Sequence, residues 1–289
     1  MDPGLLLNVA VGGLLTGLVY GLMALGLSVI FGVVRVVNFA HGEMMTIAMY
    51  AAIVLFAALK LDPLLSLLPV AAGLFVFGYW LQRTLINPFI TRPEHSQFML
   101  LVGVAIIMVN GLLMLFGPNA RNVLVDYAYD SFEIGPLLVD AVRLYAALAA
   151  VAVAAALFLF FRYVPTGKAI RACADNPLGA QVVGLRLKHL YALSFGLGSA
   201  CVGAAGAMMV LLFDVTPTLG PAYTLLAFVI VIVGGLGSKA GALRGGVLIG
   251  MSEALAGLLL VPSMKSMVSF ALLVLVLVLR PQGLLGARS

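Results

Sequence analysis

Between Pro3 and Val34 the chain runs 32 residues without an aspartate, glutamate, lysine or arginine. About 20 apolar residues are enough for a helix to cross the hydrocarbon core of a bilayer. Further uncharged runs follow at Met44–Leu59, Pro63–Gln82, His95–Ala120, Leu144–Phe161, His189–Phe213 and Val215–Ser238. Of the 289 residues 63% are hydrophobic and 9% charged, where a soluble domain carries about a quarter charged. A soluble enzyme is excluded. The pattern predicts an all-α, polytopic transmembrane helical bundle forming a single domain over residues 1–289.

Nine spans fit, roughly 6–34, 42–59, 64–83, 97–117, 141–162, 189–213, 222–237, 245–261 and 264–280. The first is long enough to tilt or bend. Only 14 uncharged residues, 266–279, stand behind the ninth, so eight to ten spans are compatible with the pattern. The Met-Asp start has neither a basic n-region nor a small-residue cleavage site, so the first run is expected to act as its own insertion signal.

With the N-terminus outside, twelve of the sixteen basic residues fall in inside loops: Arg35, Arg83, Arg92, Arg162, Lys168, Arg171, Arg186, Lys188, Lys239, Arg244, Arg280 and Arg288. That asymmetry predicts N-out, C-in. It also accounts for the net charge of +5 without a nucleic-acid partner. The outside loop 118–140 holds Asp126, Asp130, Glu133 and Asp140 against Arg121, in a weakly alternating pattern suited to a short hairpin or an interfacial helix. Such an acidic face fits a basic partner, and equally a merely solvated loop. Cys173 lies in a basic loop and Cys201 in an apolar helix, which does not make a disulfide framework.

The stretch "RVVNFAHGEMMT", Arg35 to Thr46, places Asn38, His41 and Glu43 between two uncharged runs. The 16 uncharged residues that follow, Met44–Leu59, cover about 24 Å of a core roughly 30 Å thick. The second helix should therefore start within the motif and draw Asn38–Glu43 into the embedded protein. Irregular backbone at that depth must be buried in protein or line a wet cavity. His41 and Glu43 do not share a helical face, and His95 and His189 belong to other loops, so a metal site lacks ligands. Nothing beside the motif supplies a nucleophile and an oxyanion site, so no catalytic residue is assigned. What remains is a helix break near 38–43 that shapes a pathway, or polar residues that simply cap a helix end.

Gly13, Gly17 and Gly21 recur every four residues, as do Gly237, Gly241 and Gly245. Small residues at that spacing let helix backbones approach. The run 233–246, "VGGLGSKAGALRGG", holds too many glycines for a continuous helix and reads as a tight inside turn. It lacks the GxxxxGK[ST] spacing of a phosphate loop. Glu253 is a carboxylate well inside a span, and such a group should find a partner. A proton relay and a hydrogen-bonded structural carboxyl at a subunit contact both fit. Asn110 is a second intramembrane polar residue, and Asp214 stands at the outer end of the sixth span.

The inside loop 163–188 carries a helical piece at Gly167–Ala174, then Asn176 as an N-cap and Pro177 as the first residue of a second piece. Gly184 closes that piece. Anionic lipid headgroups would attract its basic residues, but would not need the Asp-Asn-Pro…Gly punctuation.

Three ordered stretches, "NFAHGEMM", "GKAIRACADNPLGAQVVGL" and "GGLGSKAGALRGGVLIGMSEAL", resemble the permease subunits of ABC importers for branched-chain amino acids, the LivH type. The resemblance covers nearly the whole chain. It implies one permease domain with a periplasmic loop at 118–140, in the bacterial inner membrane. It also implies a second permease subunit, related or identical, two ATP-binding subunits that hold ATP and Mg, and a periplasmic substrate-binding protein. No cofactor is expected on this chain. Residues Ala174–Leu185 then look like the coupling helix seated on an ATPase subunit, with Arg171, Asp175, Asn176, Pro177, Gly179 and Gly184 at the contact. Pro177-Leu178-Gly179 stands where many importer permeases have Glu-Ala-Ala. "NFAHGE" looks like the family's helix break beside the translocation path. Two other readings share much of the pattern: a proton-coupled secondary transporter using Glu253 and His41, and an ABC permease for urea, amides or small organic acids. A passive channel is disfavoured, because Asn87-Pro88 and Asn176-Pro177 both lie in inside loops.

Overall fold

The computed structural model describes residues 3–90, 92–135, 137–261 and 264–285. Arg288 and the Met-Asp start lie outside the described residues. Eleven helices follow in order: α1 Pro3–Val34, α2 His41–Leu59, α3 Pro63–Leu81, α4 Glu94–Phe116, α5 Ala141–Tyr163, α6 Pro165–Asp175, α7 Pro177–Val182, α8 Leu187–Met209, α9 Gly220–Gly234, α10 Lys239–Leu259 and α11 Lys265–Leu279. Among the described residues, eight helical segments are long and apolar enough to cross a membrane. The ninth expected span, α11, is an apolar helix of 15 residues. The protein is a multi-pass helical bundle.

Several boundaries differ from expectation. The third span continues beyond residue 83, through a π-helical turn at Gln82–Ile86 and a 3-10 turn at Asn87–Phe89. Asn87-Pro88 therefore belongs to the end of a helical segment. The glycine-rich run 233–246 is mostly helix. Only residues 235–238 form the turn, and Ser238 restarts the helix by accepting a hydrogen bond from the Gly241 amide at 3.1 Å. That serine cap permits three glycines, Gly241, Gly245 and Gly246, inside α10, where each faces a neighbouring backbone.

Those close approaches organise the core. A methyl group at Gly17 of α1 would lie 2.7 Å from the Gly246 carbonyl oxygen, and one at Gly13 would lie 2.8 Å from that of Gly250. The expected glycine ladder on α1 is thus met by Gly246 and Gly250. Gly241 and Gly245 face α9 at Gly234 and Ile230 instead. Gly237 lies in the turn and not in a helix, in a left-handed conformation with φ +78°, and its neighbour is Gly32 of α1. On the other side of α1, Gly26 abuts Gly198 of α8, and α8 in turn packs on α2 and α3. α1 and α8 form the buried centre, whereas α4 buries only 22% of its apolar window. Lipid cannot drive this association, so backbone proximity and dispersion carry it.

The two ends of the bundle differ. At one, Arg35 opens the break, α6 packs on α1, α5 and α8 with α7 against it, and the Lys239 ammonium lies 3.4 Å from the centre of the Phe161 ring. At the other, strands β1 Ser131–Ile134 and β2 Leu137–Asp140 form an antiparallel hairpin. Arg121 bridges Val215 there, and the Tyr127 hydroxyl donates to Asp62 at 2.9 Å. Burial, then the Asp62 carboxylate, hold the Tyr127 phenol above the usual tyrosine range. Asp140 is spent on the Arg143 amide as the N-cap of α5, while Asp126, Asp130 and Glu133 are exposed.

Gly17→Ala should destabilise the bundle by about 1–3 kcal/mol, the usual cost of overpacking. Gly103→Ala, whose added methyl meets nothing within 4 Å, should leave the melting temperature unchanged or slightly higher. Thermal unfolding in detergent checks the pair.

Candidate functional site

The break between α1 and α2 spans residues 35–40, so His41 and Glu43 lie in the first turn of α2 instead of in the break. Arg35 leaves α1 in a left-handed conformation, φ +58°. Asn38 Oδ1 then accepts from the Ala40 amide at 3.1 Å, an Asx turn that reverses the chain into α2. Asn38, His41 and Glu43 are all buried, at 0%, 0% and 3% exposure. At that burial an unpaired backbone amide would be costly.

Ala40, at the N-cap of α2, has no side chain able to accept. The acceptor comes from another helix. Thr224 Oγ1, on α9, takes the Gly42 amide at 2.8 Å and donates to Glu43 Oε2 at 3.1 Å. Gly42 and Gly220 make this possible: a side chain at Gly42 would strike the Gly220 backbone, and a methyl at Gly220 would lie 2.8 Å from Glu43 Cγ. His41 Nε2 lies 3.0 Å from the Met23 carbonyl, which can only accept, so Nε2 carries the hydrogen and, among the described residues, Nδ1 is a buried acceptor without a partner. His41 therefore ties α2 to α1.

Asn110 sits on the exposed side of α4 and donates to the Ile106 carbonyl of its own helix at 2.8 Å. It nevertheless shares a cavity of about 450 Å³ with Glu43, Phe39 and Thr224. The fold thus brings Glu43 and Asn110 to one groove, while Asn38 and His41 turn into the core. Glu253 lies elsewhere, in a second cavity on the far side of α9, where Ser269 Oγ donates to its Oε1 at 2.7 Å.

At the basic end, α6 buries Gly167, Ile170 and Cys173, one per turn, against the bundle. Burial pushes the Cys173 thiol up from its ordinary pKa. Arg171 and Asp175 stay exposed, and among the described residues neither forms a salt bridge. Asn176 Oδ1 accepts from the Gly179 amide at 2.9 Å and caps α7, with Pro177 as its first residue. Gly184, φ +85°, ends the unit, its amide bonded to Gln181 and that of Leu185 to Ala180. On this short helix Leu178, Val182 and the adjoining Val183 are 76%, 86% and 74% exposed. Apolar side chains projecting from a polar, capped corner are the pattern of a contact surface.

Sequence reasoning overlooked Thr224 and the α7 apolar cluster. The cluster had a visible signal, Leu178, Val182 and Val183 close together in a loop that carries five basic residues, counting Arg162. Thr224 had none, because its partner is 182 residues away.

The profile of the family described as "Branched-chain amino acid transport system / permease component" matches residues 9–277. The chain belongs to this family. It is 31% identical to the high-affinity branched-chain amino acid transport system permease protein LivH of Salmonella typhimurium, over 95% of this chain and 93% of that protein. Identity is 29% to the corresponding permease protein BraD of Pseudomonas aeruginosa, over 96% and 94%. It is 25% to a probable LivH of Methanocaldococcus jannaschii, over 92% and 88%. No solved structure matches the chain significantly. All three sequence stretches that resembled these permeases fall within the matched residues.

Thr224→Val should strand the Gly42 amide and the Glu43 carboxyl, at a cost of about 1–3 kcal/mol. Thr224→Ser keeps the hydroxyl and should retain most of the stability. Thermal melts of the two variants, side by side, measure the difference.

Proposed function

We propose that this protein is a permease subunit of an ATP-driven importer that carries branched-chain or related small amino acids from the periplasm to the cytoplasm. The observation that carries the reading is the family match along residues 9–277. The capped α6–α7 corner supports it, because an importer permease needs a surface on which an ATPase can pull. In this reading Leu178, Val182 and Val183 seat in a groove of the ATPase subunit, flanked by Arg171 and Asp175. Asn176, Pro177, Gly179 and Gly184 hold the helix that presents them.

The chain then works with a second permease, two ATP-binding subunits and a periplasmic binding protein. ATP and Mg belong to the ATP-binding subunits. The protein sits in the inner membrane with the α6–α7 end in the cytoplasm and the hairpin end outside, as the distribution of basic residues favours. The exposed Asp126, Asp130 and Glu133 suit a basic face on the binding protein. Closure of the ATPases would shift the permease pair between two discrete packings. Glycine-lined contacts such as α1 on α10 allow helices to slide as rigid bodies, and the Glu43–Asn110 groove lies beside the path.

Val182→Asp and Arg171→Glu both alter exposed side chains, so the fold should survive. Each should weaken copurification of the ATPase subunits about tenfold, ~1.4 kcal/mol, and lower ATP-driven leucine uptake in vesicles alongside it. Uptake that persists without ATP would point to a proton-coupled carrier instead.

A further inference from the structure

Glu253 and Lys265 line one cavity of about 390 Å³ between α1, α9, α10 and α11. That volume falls within the range of small-molecule sites. Glu253 is half-buried, six residues before the end of α10 at Leu259, which is about 9 Å along the axis. Its Oε1 accepts from Ser269 Oγ at 2.7 Å. Tyr20 and Tyr223 line the same space. Lys265, the first residue of α11, is exposed at the mouth. Among the described residues the one salt bridge joins Arg143 to Asp140. The carboxyl and the ammonium therefore border a shared space without closing on each other. Apart from Ser266, the rest of the wall is apolar, with Leu226, Val229 and Phe270.

We infer that this cavity is a subsite for a zwitterionic α-amino acid with an aliphatic side chain, its ammonium toward Glu253, its carboxylate toward Lys265 and its side chain against Leu226, Val229 and Phe270. The inference deepens the transport reading above and rests on it for the choice of ligand. The geometry explains why an intramembrane carboxyl is kept without a cation in contact: the cation is supplied by the ligand. Ser269 holds the carboxyl in place. A fixed negative and a fixed positive group on one wall also reject the amine and the acid that lack the opposite charge, a discrimination that an apolar surface cannot make. A zwitterionic lipid headgroup presents the same pair of charges, and the test separates the two sources. The free amino acid is favoured because the apolar wall lies beside the charges, within the cavity, and suits a short side chain.

The test uses the full chain with its partner subunits, in vesicles of phosphatidylglycerol with or without phosphatidylethanolamine. Ala222→Cys places a thiol on the exposed cavity lining, while Cys173 and Cys201 are buried. Millimolar leucine should slow maleimide labelling of that thiol several-fold. 4-Methylpentanoate, which lacks the ammonium, and 3-methylbutylamine, which lacks the carboxylate, should not. Glu253→Gln and Lys265→Gln should each abolish the protection by leucine. Labelling indifferent to leucine, equal protection by the two analogues, or protection surviving in either variant would overturn the assignment. Slowing that follows phosphatidylethanolamine and not leucine would make the cavity a lipid site and overturn it too. ATP-driven uptake in the same vesicles reads the transport proposal separately. Uptake without protection removes the subsite alone; protection without ATP-driven uptake removes the importer reading and keeps the subsite.

Discussion

In hydrocarbon no water can take up a freed peptide group, and the single hydroxyl of Thr224 is where this chain meets that constraint. The break at residues 35–40 releases backbone groups in a stretch where Val36, Asn38 and Ala40 are buried. Asn38 closes the turn from within, but the Gly42 amide, in the first turn of α2, has no local side-chain acceptor. Thr224 reaches it from α9, and the same oxygen donates to Glu43. Because the cap comes from another helix, α2 can start where it does only if α9 is docked. Secondary and tertiary structure are therefore coupled at this point.

The docking itself relies on glycine. Gly42 and Gly220 let α2 and α9 touch at the cap, and Gly13 and Gly17 meet Gly250 and Gly246 along α1 and α10. α9 consequently stands between two cavities, one bordered by Glu43 and Asn110 and the other by Glu253 and Lys265, and Leu225 lines both. A carboxyl thus lies on each side of one half-buried helix. At the basic end, the α6–α7 corner is built by opposite means, with local caps and an apolar tip turned outward.

Much of this was legible in the residues. Uncharged runs announced the helices, because length and hydropathy alone decide what can span a bilayer. Asn176-Pro177 and Gly184 marked the ends of α7, because caps act over three or four residues. The glycine run 233–246 holds the expected turn, but only at residues 235–238; its flanks are helical, since glycine content says nothing about whether a serine cap and a neighbouring helix stand ready to hold them so. Gly237 shared its spacing with Gly241 and Gly245 but serves a different purpose, its left-handed backbone turning the chain before α10 begins.

The sequence by itself determined that the chain is a multi-pass bundle, roughly where its helices run, and that residues 163–188 form a punctuated unit with a surface to offer. These are local or additive properties: hydropathy, capping and charge asymmetry need no knowledge of neighbours. Only the tertiary structure decided which glycines meet, that Thr224 caps α2, that Glu43 and Asn110 share one groove, and that Lys265 faces the cavity of Glu253. Each of those joins residues far apart in the chain through contacts of a few ångströms, and no periodicity along the sequence encodes them.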